Sequence, residues 1–358
     1  MKIGLIGLAN SGKSTIFNAL TGQDVSVTNY PTQEAEPHLG VVKVPDARLE
    51  VLAGIYKPKK VVHATVEYID YLGITKGDVR QNRKALEMIK DVDAVVHVIR
   101  AFEDESVAHP SGNVDPLGDA GTVEVELVFS DLELVETRLQ RMEELEKKGK
   151  KQLVNEEERA VLLRCKDALE QETPLRKFDF TDDEKVALRH LQFISIKPEV
   201  MLLNVHEDFV KKHDPAETPI KEKFGLPVIA SAGKIEMEIA QLGEEEAKAF
   251  LEDLGIEEPT MYRLIHLCYR HLGLISFLTV GKDEVRAWTV EQGTSAKKAA
   301  GKIHSDIERG FIRAEVVSYK DFNEYGSIAE ARKKGLVRLE GKTYQVQDGD
   351  MIDFRFNV

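Results

Sequence analysis

The run Gly7-Leu8-Ala9-Asn10-Ser11-Gly12-Lys13-Ser14-Thr15 carries the spacing G-x-x-x-x-G-K-[ST], which wraps backbone N–H groups around phosphates. Each residue type has a task in that chemistry. Gly7 and Gly12 let the backbone approach an anion with no Cβ in the way. The backbone from Ala9, Asn10 and Ser11 through Gly12, Lys13, Ser14 and Thr15 is the candidate cradle. A helix starting there adds the positive end of its dipole. Lys13 can reach the β- and γ-phosphates as the candidate catalytic cation, and the Ser14 hydroxyl can bind Mg²⁺. Further on, Asp70-Tyr71-Leu72-Gly73 closes an apolar run. Asp70 can hold the Mg²⁺ shell through water, and the Gly73 N–H can contact a γ-phosphate. The next residue is Ile74, in the place where related switch enzymes carry a water-orienting Gln. An aliphatic side chain cannot orient water, so hydrolysis needs another group and is expected to be slow.

A second set of residues addresses the base. GTP-specific sites use Asn-Lys-x-Asp, whose Asp accepts two hydrogen bonds from guanine. The corresponding run here is Asn204-Val205-His206-Glu207. Val205 replaces the Lys and Glu207 the Asp. The longer Glu207 loses the bidentate geometry, which weakens a preference for guanine. Ser231 and Ala232 stand where such sites place a loop beside the base.

These residues need a scaffold of parallel strands and helices, and the pattern supplies one. Ile3-Gly4-Leu5-Ile6 reads as a buried strand and Ser14 to Leu20 as the first turns of a helix. Strands are expected at Leu39–Val44, Ala64–Asp70, Ala94–Ile99, Val200–Asn204 and Pro227–Ser231, the third as a continuous apolar run suited to a sheet covered on both faces. Between about 130 and 196 the pattern turns helical. Leu132, Val135, Leu139, Met142 and Leu145 recur at spacings of three and four. Lys147-Lys148-Gly149-Lys150-Lys151 breaks that helix, another runs from Asn155 to about Gln171, and Thr181-Asp182-Asp183-Glu184 fits a capping box. From Leu278 onward strands are expected at Val285–Val290, Ile312–Val317, Lys342–Val346 and Met351–Phe356, around one helix starting near Ala296. That arrangement suggests a β-grasp module with a binding role.

Composition limits the function classes. The chain has 358 residues and a formal net charge of −13, so contact with nucleic acid has to come from local patches. The section from Leu278 holds 14 Lys and Arg against 13 Asp and Glu, so the negative charge lies upstream. Cys165 and Cys268 fit no disulfide framework and no metal spacing. No run of about 18 apolar residues is present, and a cytoplasmic protein without a membrane partner is expected. Monomer is the default.

On these motifs the chain resembles the YchF family of Obg-related P-loop ATPases. The segments that carry the resemblance are Gly7 to Thr15; Asn29-Tyr30-Pro31; Asp70 to Gly77; Asp93 to Asp104; Asn204 to Glu207; and Val285-Arg286-Ala287-Trp288 through Gly310–Glu315 to Phe354–Val358. The resemblance implies an α/β fold: a Ras-like P-loop domain at 1–130 and 197–277, an inserted helical coiled-coil arm at 131–196, and a C-terminal β-grasp (TGS) domain at 278–358. It implies a nucleotide-dependent switch that binds and slowly hydrolyses ATP with Mg²⁺, ATP being preferred to GTP because of the Asn-x-x-Glu motif. It further implies association with ribosomes at the large subunit, with RNA contacted through the TGS module and the arm. A GTPase of the same fold, or an RNA- or ribosome-binding adaptor with a weakly active nucleotide site, are the alternatives.

Two departures from the family pattern bear on the switches. The family's switch segment reads Asn-Tyr-Pro-Phe-x-Thr-x-x-Pro, with the Thr closing over Mg²⁺. Here Thr32 stands in place of the Phe and Glu34 in place of the Thr. Glu34 could ligate Mg²⁺ directly or repel the γ-phosphate, and Thr32 could substitute two residues early. The stretch after Asp70–Gly77 is also shorter than in the family. His109, in the loop Glu105–Gly112, is the family's candidate for positioning the hydrolytic water; the alternative is a loop His without a role. Lys297, Lys298, Lys302, Arg309 and Arg313, with Arg332-Lys333-Lys334, form basic groups that either are simply solvated or contact a phosphate backbone.

Overall fold

A computed structural model describes residues 1–26, 37–71, 73–75, 77, 79–209 and 214–357. Leu72, Thr32 and Glu34 lie outside the described residues, and so does Asn29-Tyr30-Pro31. By contacts the chain falls into two compact units. One is Met1–Val41 with Glu67–Met261, and the other is Val42–Val66 with Tyr262–Val358. We retain the three-part division at 130, 197 and 278 as a proposal.

The first unit is built on a six-stranded sheet of order β2-β4-β1-β5-β6-β7. Its strands are β1 (Lys2–Ile6), β2 (His38–Lys43), β4 (Thr65–Asp70), β5 (Ala94–Ala101), β6 (Glu199–Val205) and β7 (Val228–Ser231). β2 and β4 run across the division between the units. The register is parallel along β4-β1-β5-β6-β7, with Ile3 opposite both Tyr68 and Ala94. A parallel sheet needs crossovers on its faces. Here they are α1 (Lys13–Thr21), α3 (Val79–Ile89), α4 (Pro116–Lys147) and α7 (Glu217–Phe224), while α8 (Gly233–Gln241) and α9 (Glu244–Leu254) follow the last strand. The centre of the sheet is dry: Leu5, Val96, Val98, Met201, Leu202 and Leu203 are fully buried.

Between β5 and β6 the chain is helical, as the spacing predicts. α4 starts at Pro116 rather than near Leu132, because Asp115 caps it and Pro116 occupies the first turn. α5 (Glu156–Glu170) is capped by Asn155, whose side chain accepts from the N–H groups of Glu157 and Glu158. α6 (Asp182–Leu188) opens on Thr181, and both bonds of the capping box are formed. α4 and α5 share a core of Val135, Met142, Val161, Leu162, Cys165 and Leu169. Outside it, Glu146 pairs with Arg159 and Glu136 with Lys166, so the two helices run antiparallel.

The second unit holds α2 (Ala47–Tyr56), β3 (Lys60–Val62), α10 (Thr260–His271), β8 (Leu274–Val280), β9 (Glu284–Glu291), α11 (Ala296–Ile303), α12 (Ser305–Arg309), β10 (Phe311–Ser318), α13 (Tyr319–Tyr325), α14 (Ile328–Lys333), β11 (Arg338–Glu340) and β12 (Asp350–Phe356). Its sheet has the order β11-β10-β12-β8-β9-β3. Phe277, Val290, Ala296, Ala299, Ala300, Phe354 and Val346 form the core beneath α11. The expected strand Lys342–Val346 is not one. Its backbone is spent on the α11 entrance: Ala296 N–H donates to Tyr344 O at 2.7 Å and Val346 N–H to Thr294 O at 3.0 Å. A single bridge, Ser295 to Gln345, remains. Arg48 at the start of α2 ion-pairs with Asp46 and Asp348, both at 2.8 Å. Cys165 and Cys268 are both buried. Among the described residues no helix is long and apolar enough to cross a membrane.

Candidate functional site

The strand β1 ends at Ile6, and the loop to α1 turns through left-handed backbone at Gly7 (φ 146°), Asn10 (φ 60°) and Gly12 (φ 93°). The glycines are required by space as well as by φ. A Cβ on Gly7 would lie 2.2 Å from Val98 O, and one on Gly12 would lie 2.1 Å from Asn204 Nδ2. Lys13 is buried, and its Nζ donates to Leu8 O at 2.7 Å and to Gly7 O at 3.4 Å. Burial lowers the Lys13 ammonium to about 8, with Asp70 pulling the other way. A cation so held is poised to gain from an incoming phosphate.

Asp70 ends β4 and comes to Ser14, whose hydroxyl donates to Asp70 Oδ2 at 2.6 Å. Asp70 is buried, and its Oδ1 has no hydrogen-bond partner. Burial raises its carboxyl above the usual range, while Ser14, Lys13 and His38 oppose that shift. An oxygen pair of hydroxyl and carboxylate with an unused, buried carboxylate lone pair fits a hard divalent cation such as Mg²⁺. The segment after Asp70 is fastened to the phosphate loop: Ile74 N–H donates to Gly7 O and Ala9 N–H to Ile74 O, both at 2.9 Å. A Cβ on Gly73 would meet Ala9 Cα at 2.6 Å, so only glycine fits. Ile74 is 1% exposed and packs in the core, out of reach of any reacting water.

The base-side residues come from the ends of β6 and β7. The Asn204 amide is spent inside the protein. Its Nδ2 donates to Ser11 O at 3.1 Å, and its Oδ1 accepts from Gly233 N–H at 3.0 Å. It therefore ties the phosphate loop to the start of α8. Val205 and Ala232 are buried, whereas Glu207 is exposed in a short 3₁₀ turn. Ser231 is buried with its hydroxyl unpartnered.

His109 is no solvated loop residue. Its side chain is 4% exposed and bonds Asp119 Oδ2 through Nε2 at 2.8 Å. The loop that carries it is attached to the phosphate loop, because Asn10 Nδ2 donates to Ala108 O at 2.9 Å. Leu8, Ala9, Ser11, His109 and Asp119 border one small cavity.

A buried charge cluster behind the sheet is not visible in the sequence spacing. His97 of β5 meets Glu199 at the start of β6, with Nδ1 and Oε1 3.1 Å apart. Arg176 pairs with Glu124 of α4 and, at 3.1 Å, with Glu199. Burial holds His97 down to about 4. Burial, and then Glu199, pushes Glu124 up to about 8. The ligand atoms of His97, Glu124 and Glu199 lie within 4.8 Å of one another. A divalent ion there would add two charges where Arg176 already offsets one of two carboxylates. One proton on Glu124 balances the rest, so the cluster reads as structural. The available signal was a His inside an apolar strand.

Comparison with known proteins places these features. The family model described as a 50S ribosome-binding GTPase matches residues 2–117, and the model YchF-GTPase_C, described as a protein of unknown function, matches residues 274–357. The chain is 44% identical to the ribosome-binding ATPase YchF of Bacillus subtilis, covering 99% of both chains. It is 40% identical to the protein of that name from Escherichia coli O157:H7, covering 100% of this chain and 99% of that one. The solved Schizosaccharomyces pombe YchF GTPase superposes with a TM-score of 0.84 at 31% identity, covering 99% of this chain and 97% of that one. A GTP-binding protein from Pyrococcus horikoshii shares the fold, with a TM-score of 0.60 at 18% identity over 100% of both chains.

Proposed function

The chain belongs to the YchF family, and from that premise we propose that it is an ATP-hydrolysing switch that works on the ribosome. The observation that carries the reading is the meeting of Ser14 and Asp70 at 2.6 Å beside the buried Lys13. The curated relatives' name, ribosome-binding ATPase, supports the substrate and the partner.

In this reading the loop N–H groups from Ala9 to Thr15 cradle the phosphates, and Lys13 leaves its carbonyl partners for the β- and γ-oxygens. Ser14 and Asp70 would hold Mg²⁺, which when bound would supply positive charge against the phosphates. Thr32 and Glu34 are proposed as further groups near that ion. Gly73 brings its N–H to the γ-phosphate side, and its link to the phosphate loop lets the second switch sense that group. Asn204 is a positioning residue here. It fixes Ser11 and Gly233, so that Val205, Glu207, Ser231 and Ala232 line the base side. Ile74 cannot serve the hydrolytic water, and His109 takes that role. The protein acts as a cytoplasmic monomer that meets the large subunit and its RNA through the TGS module and the helical arm.

Turnover of ATP measured with and without ribosomes tests the reading. Slow turnover that rises on adding ribosomes is expected, and His109→Ala abolishes the rise. Absent turnover in both conditions contradicts it and favours a regulatory nucleotide site. A second reading, hydrolysis of GTP, is favoured by the name of the solved S. pombe relative, a YchF GTPase. It requires Glu207 to read guanine.

A further inference from the structure

The two ring nitrogens of His109 are both occupied. Nε2–H donates to Asp119 Oδ2 at 2.8 Å, and Nδ1 accepts from the Ser111 N–H at 3.1 Å. This pair of bonds selects the neutral ring with its proton on Nε2, because an Nδ1–H would face the Ser111 N–H. A working carboxylate–imidazole dyad holds one nitrogen and leaves the other free for the reacting group. Here the second nitrogen is closed by the loop's own backbone. The ring and the carboxylate are nearly sealed, at 4% and 8% exposure of their side chains.

The partner is built for holding. Asp119 lies in the first turn of α4, where the helix end favours a negative charge. Burial raises its carboxyl above the usual range, and the hydrogen bond from His109 opposes that shift. The ring also sits next to where it would be used. Its loop is tied to Asn10 through Ala108 O, and Asp119, Ala9 and Ser11 line the same cavity.

We propose that Asp119 is a positioning residue that parks His109 beside the phosphate loop, so that hydrolysis waits until the ring leaves the Asp119–Ser111 bracket. The proposal rests on the reading of His109 as the water-positioning group. It gives the slow basal turnover a second cause besides Ile74. Because α4 continues into the helical arm, a partner gripping the arm has a direct element through which to release the ring.

The test is ATP turnover of the full chain at saturating Mg²⁺-ATP without ribosomes, with ATP affinity measured on the same samples. Asp119→Ala is expected to raise turnover about tenfold, the size of one charge-assisted hydrogen bond. Asp119→Asn keeps an acceptor for Nε2–H and rises less. In the double variant Asp119→Ala with His109→Ala the gain vanishes. Ser111→Pro removes the N–H that closes Nδ1, leaves the carboxylate in place, and gives a smaller rise; it serves if Asp119→Ala does not fold. Unchanged or lower turnover in Asp119→Ala at unaltered affinity overturns the proposal. So does a gain that survives the loss of His109. If His109→Ala lowers turnover while neither Asp119→Ala nor Ser111→Pro raises it, only the parking fails. If His109→Ala changes nothing in either background, the water-positioning reading fails with it.

Discussion

The phosphate loop and the cluster behind β5 both bury charge, and they do so in opposite ways. Lys13 is held by two carbonyl oxygens, and Asp70 acts on it only from a distance while bonding Ser14, so among the described residues its charge is solvated by backbone rather than ion-paired. In the cluster Arg176 pairs with Glu124 and Glu199, and His97 bonds Glu199, so its charges are paired with one another even though Glu124 Oε1, Arg176 Nε and Glu199 Oε2 lack hydrogen-bond partners. An unneutralised buried cation is a binding device, because an anion that arrives gains in a site of low dielectric. A group whose charges are already paired gains little from a further ion; it fixes which segments meet. Burial of charge therefore marks a functional site only where the charge itself is left without an ion pair.

The contrast can be broken by mutation, starting with the cluster. Arg176→Met leaves Glu124 and Glu199 without their cation and should cost about 3–5 kcal/mol of stability. Denaturant unfolding measures it, and the nucleotide affinity of the folded fraction should not change. Lys13→Ala should do the reverse. Stability should hold or rise, while turnover falls by about 10²–10³, the loss seen when one preorganised electrostatic group is removed. A stability loss in Lys13→Ala comparable to that in Arg176→Met would erase the distinction. Asn204→Ala lies between the two. It frees Ser11 O and Gly233 N–H and should weaken ATP binding by about tenfold, the worth of one or two buried hydrogen bonds. Calorimetric titration checks it.

The smallest effect is a pH dependence. Glu124 is pushed up to about 8 in the folded chain, so between its unfolded value and pH 8 only the folded state keeps the proton. Stability from this group is present at low pH and lost as pH rises toward 8. His97, lowered to about 4, acts oppositely, and its stability is lost as pH falls from about 6.5 toward 4. The two offset each other below about 6.5, and the Glu124 loss stands alone above it. Glu124→Gln mimics the protonated carboxyl and should flatten stability between about pH 6.5 and 8. A parallel decline in the variant would mean that Glu124 is ionised throughout.

What could be read from sequence divides along the same line. The phosphate loop is contiguous, so its spacing alone located Lys13 and Ser14. Asp70 followed because it ends an apolar strand, and the structure brings it to Ser14 across 56 positions. The capping box at Thr181 was legible because caps are local. The cluster was not, since His97, Glu124, Arg176 and Glu199 come from four separate segments and only the sheet assembles them. Asn204 was read as a base contact, yet its bonds to Ser11 and Gly233 depend on how β6 and β7 end together. The strand expected at Lys342–Val346 failed for a related reason. Its alternation is that of a strand, but its backbone serves the entrance of α11.

The central claim is that this phosphate loop serves an ATP switch rather than a GTP switch. Titration calorimetry with Mg²⁺ present, with ATP and GTP measured side by side, tests it most directly. The account predicts ATP tighter by about tenfold or more, the discrimination a mismatched polar base contact supplies. GTP binding as tightly as ATP, or more tightly, would contradict it and return Glu207 to the reading of guanine.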